Sequence, residues 1–109
     1  MGEATWYEVV AIPQMTLREF AEQHGLHLVV RERRVEAGSS IRYYAAFTGV
    51  EVMERGMLAS TSGDGSTPEA AIADYTRRIS LSHLAVDAML PTRREIEVPR
   101  LASPPDPSR

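Results

Sequence analysis

An α+β fold, in which an antiparallel sheet is covered on one face by two helices, is the architecture this sequence predicts. Three stretches carry the prediction. Met15-Thr16-Leu17-Arg18-Glu19-Phe20 has the spacing of a helix start, with Thr16 and Glu19 placed as a capping box and Met15 placed to pack against Phe20. Leu26 to Thr48 alternates apolar and polar residues on both sides of a short polar turn, the pattern of a β-hairpin. Thr67-Pro68-Glu69 opens a second helix: Thr67 caps the free amides, Pro68 gives up an N–H that would be unpaired anyway, and Glu69 meets the positive helix end. Helices with one apolar stripe and strands with one apolar face bury both by stacking as two layers.

Taken in order, Thr5 to Ile12 is rich in aromatic and β-branched residues and is stopped by Pro13, which predicts an extra N-terminal strand. The helix from Thr16 runs about two turns. It places Leu17, Phe20, Ala21 and His24 on one face and ends at Gly25, where glycine tolerates the left-handed conformation. In the hairpin, Leu26, Leu28 and Val30 face one way and His27, Val29, Arg31 and Arg33 the other. After the Ala37–Ser40 turn, Ile41, Tyr43, Ala45 and Phe47 alternate with Arg42, Tyr44, Ala46 and Thr48. Gly49 reads as a bulge with Val50 to Met53 extending the strand, and Arg55-Gly56 turns into a third strand over 57–61. Gly63 to Ser66 reads as a tight turn. The second helix buries Ala71, Ile72, Tyr75 and Ile79, with Asp74 pairing Arg77 and Arg78 on the wet side. Strands over 83–88 and 94–98 form a C-terminal hairpin, Ile96 and Val98 alternating with Glu95 and Glu97.

The chain of 109 residues, 43% of them hydrophobic, is large enough for one real core and small for two. One α+β domain over 1–101 is expected, its core spanning about 15–99. The Pro/Ser-rich tail over 102–109 has too little apolar surface to order itself. Without cysteine there is neither a disulfide framework nor a thiolate metal site. No apolar run reaches the roughly 18 residues of a membrane span, and the start lacks the basic segment and apolar core of a signal peptide. A cytoplasmic protein without membrane contact is therefore expected.

Candidate chemistry is sparse. His24, His27 and His83 are the available imidazoles, and their spacing does not suggest a tetrahedral metal site. No serine stands in a Gly-x-Ser-x-Gly elbow. Gly63-Asp64-Gly65 lacks the lysine of a phosphate loop, and Asp64 would repel the anion. Glu95 and Glu97 beside Arg93 and Arg94 read as a solvated edge rather than an acid–base pair. The sequence thus points to no catalytic residue, no metal and no cofactor. The net charge of −3 also argues against an affinity built on neutralising many phosphates.

What packing explains least well is the open face of the hairpin. His27, Arg31, Arg33, Arg42 and Tyr44 project there together, and Arg and Tyr are the residue types enriched at binding hot spots. All twelve cationic side chains of the protein are arginine, planar donors suited to carboxylates and aromatic rings. These five residues are the candidate partner-binding set, with a protein as the expected partner. An exposed terminal strand over 94–98 additionally suits edge-to-edge pairing into a homodimer.

The order helix, three strands, helix over about residues 16–80, with the Gly-x-Gly-Ser turn at 63–66, resembles the double-stranded-RNA-binding-domain fold. Where RNA-binding members carry lysines at the start of the second helix, this chain has Thr67, Pro68 and Glu69, which argues against RNA binding. Separately, Leu17-Arg18-Glu19-Phe20-Ala21, Thr67-Pro68-Glu69-Ala70-Ala71-Ile72 with Asp74-Tyr75, and Arg94-Glu95-Ile96-Glu97-Val98-Pro99 resemble small uncharacterised bacteriophage proteins. That resemblance implies a phage setting. It makes a non-enzymatic inhibitor of a bacterial antiviral defence protein, an anti-CRISPR for example, the expected function. A nucleic-acid-binding accessory protein and a virion structural or assembly protein are the alternatives.

Overall fold

The structure is a computed structural model and describes residues 14–34 and 41–102. The strand expected over 5–12, the Ala37–Ser40 turn and the tail beyond Ala102 lie outside the described residues. Helix α1 (Leu17–His24) begins with both halves of its capping box in place. The Glu19 N–H donates to the Thr16 hydroxyl at 3.1 Å and the Thr16 N–H donates to the Glu19 carboxylate at 2.9 Å. It ends at Gly25, left-handed at φ +66°, whose N–H donates to the Ala21 carbonyl. Each end thereby satisfies backbone groups that a bare helix leaves unpaired.

Strands β1 (Leu28–Arg34) and β2 (Ile41–Phe47) pair antiparallel along their whole length, with Leu28 opposite Phe47, Arg31 opposite Tyr44 and Arg33 opposite Arg42. The α+β class and this hairpin agree with the alternation in the sequence. The first departure comes at Gly49, which closes a turn at φ +69° instead of forming a bulge. The chain leaves the first sheet there. Strand β3 (Val50–Glu54), a turn at Arg55-Gly56 with both residues at positive φ, and β4 (Met57–Ala59) start a second sheet. Two successive positive-φ residues give the twist that a tight hairpin needs. The third strand predicted over 57–61 is thus shorter and belongs to this other sheet.

The second departure is at Gly63–Gly65, which forms a short strand, β5, paired with β2. Sheet I is therefore β1-β2-β5. The segment has the composition of a turn, but what needs glycine here is proximity. A Cβ on Gly63 would lie 2.2 Å from both the Ala71 carbonyl oxygen and the Tyr75 nitrogen, and one on Gly65 would lie 2.6 Å from the Ala71 nitrogen. The two glycines share a strand face and let helix α2 (Pro68–Ile79) lie backbone against backbone on β5.

Helix α2 starts as its sequence predicts: the Thr67 hydroxyl accepts from the Ala70 N–H at 3.0 Å, with Pro68 in the first turn. Its buried set is Ala71, Ala73, Tyr75, Thr76 and Ile79. Ile72, expected in that set, packs against the core but stays partly exposed. A helix seated this closely on a three-residue strand centres its contact on the small side of Ala71, leaving the longer Ile72 side chain at the margin.

The C-terminal hairpin is present as β6 (His83–Val86) and β7 (Arg94–Glu97), slightly shorter than predicted, and completes sheet II in the order β4-β3-β6-β7. One core joins both sheets and both helices. Phe20 of α1 meets Phe47 of β2 at 6.4 Å between ring centroids, and Phe47 meets Tyr75 of α2 edge-on at 5.4 Å. Tyr75 is 1% exposed, and its hydroxyl accepts from the Phe47 N–H at 3.1 Å. Val52, Leu84, Val86 and Ile96 bring sheet II into the same cluster, and Val98 and Leu101 close it.

Candidate binding surface

Strand alternation turns one face of sheet I toward the helices and the other outward. Phe47, Ala45 and, more loosely, Leu28, Val30 and Tyr43 belong to the core face. The opposite face carries Val29, Arg31 and Arg33 from β1, Arg42, Tyr44 and Ala46 from β2, and Asp64 from β5. The C-terminal hairpin belongs to sheet II, and both helices pack elsewhere, so none of these elements covers this face.

Four of the five sequence-predicted residues come together. The Arg33 guanidinium stands over the Tyr44 ring, 5.3 Å from its centroid, in a cation–π arrangement. Arg31 is directly opposite Tyr44, and Arg42 directly opposite Arg33. His27 lies just before β1, exposed, its carbonyl accepting from the Thr48 N–H at 2.9 Å. It extends the same face but touches neither the tyrosine nor the arginine group in the contacts of the described residues.

Asp64 was missed as a member of this face. Opposite Tyr44 in register, it accepts from Arg42 through both Nη2 at 2.7 Å and Nε at 3.2 Å, and its other oxygen lies 3.9 Å from Arg33. The Arg42 hydrogen bond holds the Asp64 carboxyl below its ordinary range, so it stays ionised at neutral pH. Its backbone N–H donates at 2.9 Å to Asp74 of α2, which also accepts from Arg77 at 3.1 Å and Arg78 at 2.8 Å. Burial pushes the Asp74 carboxyl up, but the Asp64 N–H and the two arginines outweigh it and leave it lowered. The alternation of two glycines around a carboxylate at 63–65 was the available sign that this segment is a strand with one face against a helix and one outward.

Two shallow recesses lie side by side on this face, both open to solvent. One of about 240 Å³ is lined by Val29, Arg31, Tyr44, Ala46, Phe47 and Thr48, and one of about 330 Å³ by Arg33, Arg34, Arg42 and Asp64. Neither encloses a small molecule as ligand pockets do. Elsewhere, His83 and Arg93 both engage Glu95, at 3.0 and 2.8 Å, and the His24 ring packs tilted against Phe20, 4.6 Å between ring centroids. Among the described residues no three His, Asp or Glu side chains converge in a way that could hold a metal ion. Likewise, among those residues no helix is long and apolar enough to cross a membrane.

Comparison with protein-family models, with curated proteins and with solved structures finds no match to this chain.

Proposed function

We propose that this protein acts by binding another protein through the open face of sheet I, and that it is a phage-encoded, non-enzymatic inhibitor of a bacterial antiviral defence protein. The observation that carries the binding reading is the grouping of Arg31, Arg33, Arg42 and Tyr44 on one sheet face that no described helix or strand covers, with Arg33 pre-placed over the Tyr44 ring. Tyrosine is a rigid aromatic of a type enriched at binding hot spots, and Arg33 is already held over its ring. The host-defence target, of which an anti-CRISPR role is one form, rests on the phage-protein resemblance in the sequence. Shallow, solvent-open recesses favour contact over turnover. Edge-to-edge homodimerisation through β7 is a second reading, favoured by the position of that strand at the margin of sheet II.

Affinity capture from infected bacterial lysate, followed by mass spectrometry, tests the proposal. A defence effector held in a fixed molar ratio is the expected result. A nucleoprotein complex would favour the accessory-protein alternative, a virion component the assembly alternative, and substoichiometric turnover would overturn the non-enzymatic reading.

A further inference from the structure

We infer that the partner segment recognised by sheet I is an acidic stretch of polypeptide with an apolar residue beside its carboxylates, and that Asp64 occupies part of its place in the free protein. This deepens the proposed function and rests on the same face.

The larger recess is lined by three arginine residues, with Arg33 and Arg42 directly opposite each other on the outward face and Arg34 at the strand end, and by one carboxylate residue, Asp64. Asp64 serves Arg42 well: both guanidinium contacts fall on Oδ2, at 2.7 and 3.2 Å. Its Oδ1 lies 3.9 Å from Arg33, beyond hydrogen-bond distance. Among the described residues the recess therefore holds more arginines than carboxylates, within a protein whose net charge is −3. Arginine is always charged and presents a planar fork that matches a carboxylate.

Asp64 itself shows which anion the recess accepts, since a carboxylate already sits in it against Arg42. Because Asp64 is 40% exposed at its side chain, water and an incoming carboxylate reach the same guanidinium. The adjoining recess supplies the second half of the recognition. Val29 and Ala46 form an apolar shelf beside the Tyr44 ring, a seat for an aliphatic or aromatic side chain next to the acidic ones. A nucleic acid would bring regularly spaced phosphates, and the basic area here is too small, in an acidic protein, to meet many of them. An acidic peptide needs only two or three carboxylates at the recess and one apolar side chain on the shelf.

Removing the Asp64 charge separates this arrangement from a merely structural ion pair. Fluorescence anisotropy with a labelled glutamate-rich peptide carrying leucines, its glutamine counterpart and a single-stranded oligonucleotide provides the test, run at low salt where such contacts are least screened. The glutamate peptide should bind and the glutamine peptide should not. Arg33→Ala and Arg42→Ala should each weaken binding roughly tenfold, and Asp64→Asn should tighten it several-fold. Asp64→Ser serves as a second variant, since both keep the backbone N–H bonded to Asp74. Absence of peptide binding by both the wild type and Asp64→Asn would overturn the inference, as would preferential binding of the oligonucleotide. Weakening by both Asp64 variants, with unchanged thermal midpoints, would also overturn it. If a host protein is captured through this face while the peptide fails, the proposed function stands and this inference falls. If the peptide binds as expected and no host protein is captured, the reverse holds.

Discussion

The outward faces of the two sheets handle charge in opposite ways. On sheet II, Glu95 takes both His83 and Arg93 as partners, and these contacts stay within the β6–β7 hairpin and the residue preceding β7. On sheet I, Arg31, Arg33 and Arg42 surround Tyr44, and the one carboxylate among them is itself anchored to helix α2 through Asp74. Sheet II thus carries an exposed three-residue charge cluster of the kind that contributes little to stability. Sheet I carries cations in excess on a framework tied to the core. The contrast shows that arginine count alone does not mark a site. What distinguishes sheet I is that, among the described residues, its arginines outnumber its carboxylates, and how firmly the floor beneath them is held.

The largest expected effect tests that floor. Gly63→Ala places a methyl group 2.2 Å from backbone atoms of α2, which the helix cannot accommodate without moving off β5. Overpacking usually costs about 1–3 kcal/mol, and a clash with several backbone atoms of one helix belongs at or above the upper end. Chemical denaturation should show the drop, and loss of the Asp64 contacts should accompany it. A variant as stable as the wild type would mean that β5 and α2 are not in close contact.

A smaller effect separates the two sheets by pH. Asp74, with a side chain 18% exposed, has its carboxyl lowered below the ordinary 3.8, so it contributes stability at pH values above that figure and loses it as pH falls through its lower folded value. Asp74→Asn should cost about 1–2 kcal/mol at neutral pH, with the gap to the wild type closing in acid. Glu95 is lowered too, by His83 and Arg93, but on an exposed surface. Glu95→Gln should leave the denaturation midpoint essentially unmoved. Equal pH dependence for both variants would erase the difference between the sheets.

Much of this architecture was legible in the sequence because it is local. The Thr16–Glu19 capping box, the Thr67-Pro68 start and the β1–β2 register depend on residues a few positions apart or on a two-residue period. The grouping of Arg31, Arg33, Arg42 and Tyr44 follows from that period alone. The partition into two sheets was not legible: a glycine at positive φ serves a bulge or a turn equally, and what chooses between them at Gly49 is the pairing of β3 with β6, more than thirty residues away. Strand β5 was hidden for a related reason. Gly63-Asp64-Gly65 has turn composition, and its strand character depends on the backbone of α2 arriving from behind. The place of Asp64 among the arginines follows only once β5 pairs with β2.

The most direct measurement is a comparison of charge reversals on the two faces, read as retention of the captured host protein. Arg31→Glu and Arg33→Glu together, which leave the Arg42–Asp64 ion pair in place, should abolish capture while circular dichroism and the thermal midpoint stay near wild type, since surface changes away from packing usually stay within about 0.5 kcal/mol. Reversal of Glu51, Glu95 and Glu97 to lysine should leave capture intact. Loss of capture on reversing sheet II, with full retention on reversing sheet I, would contradict the account.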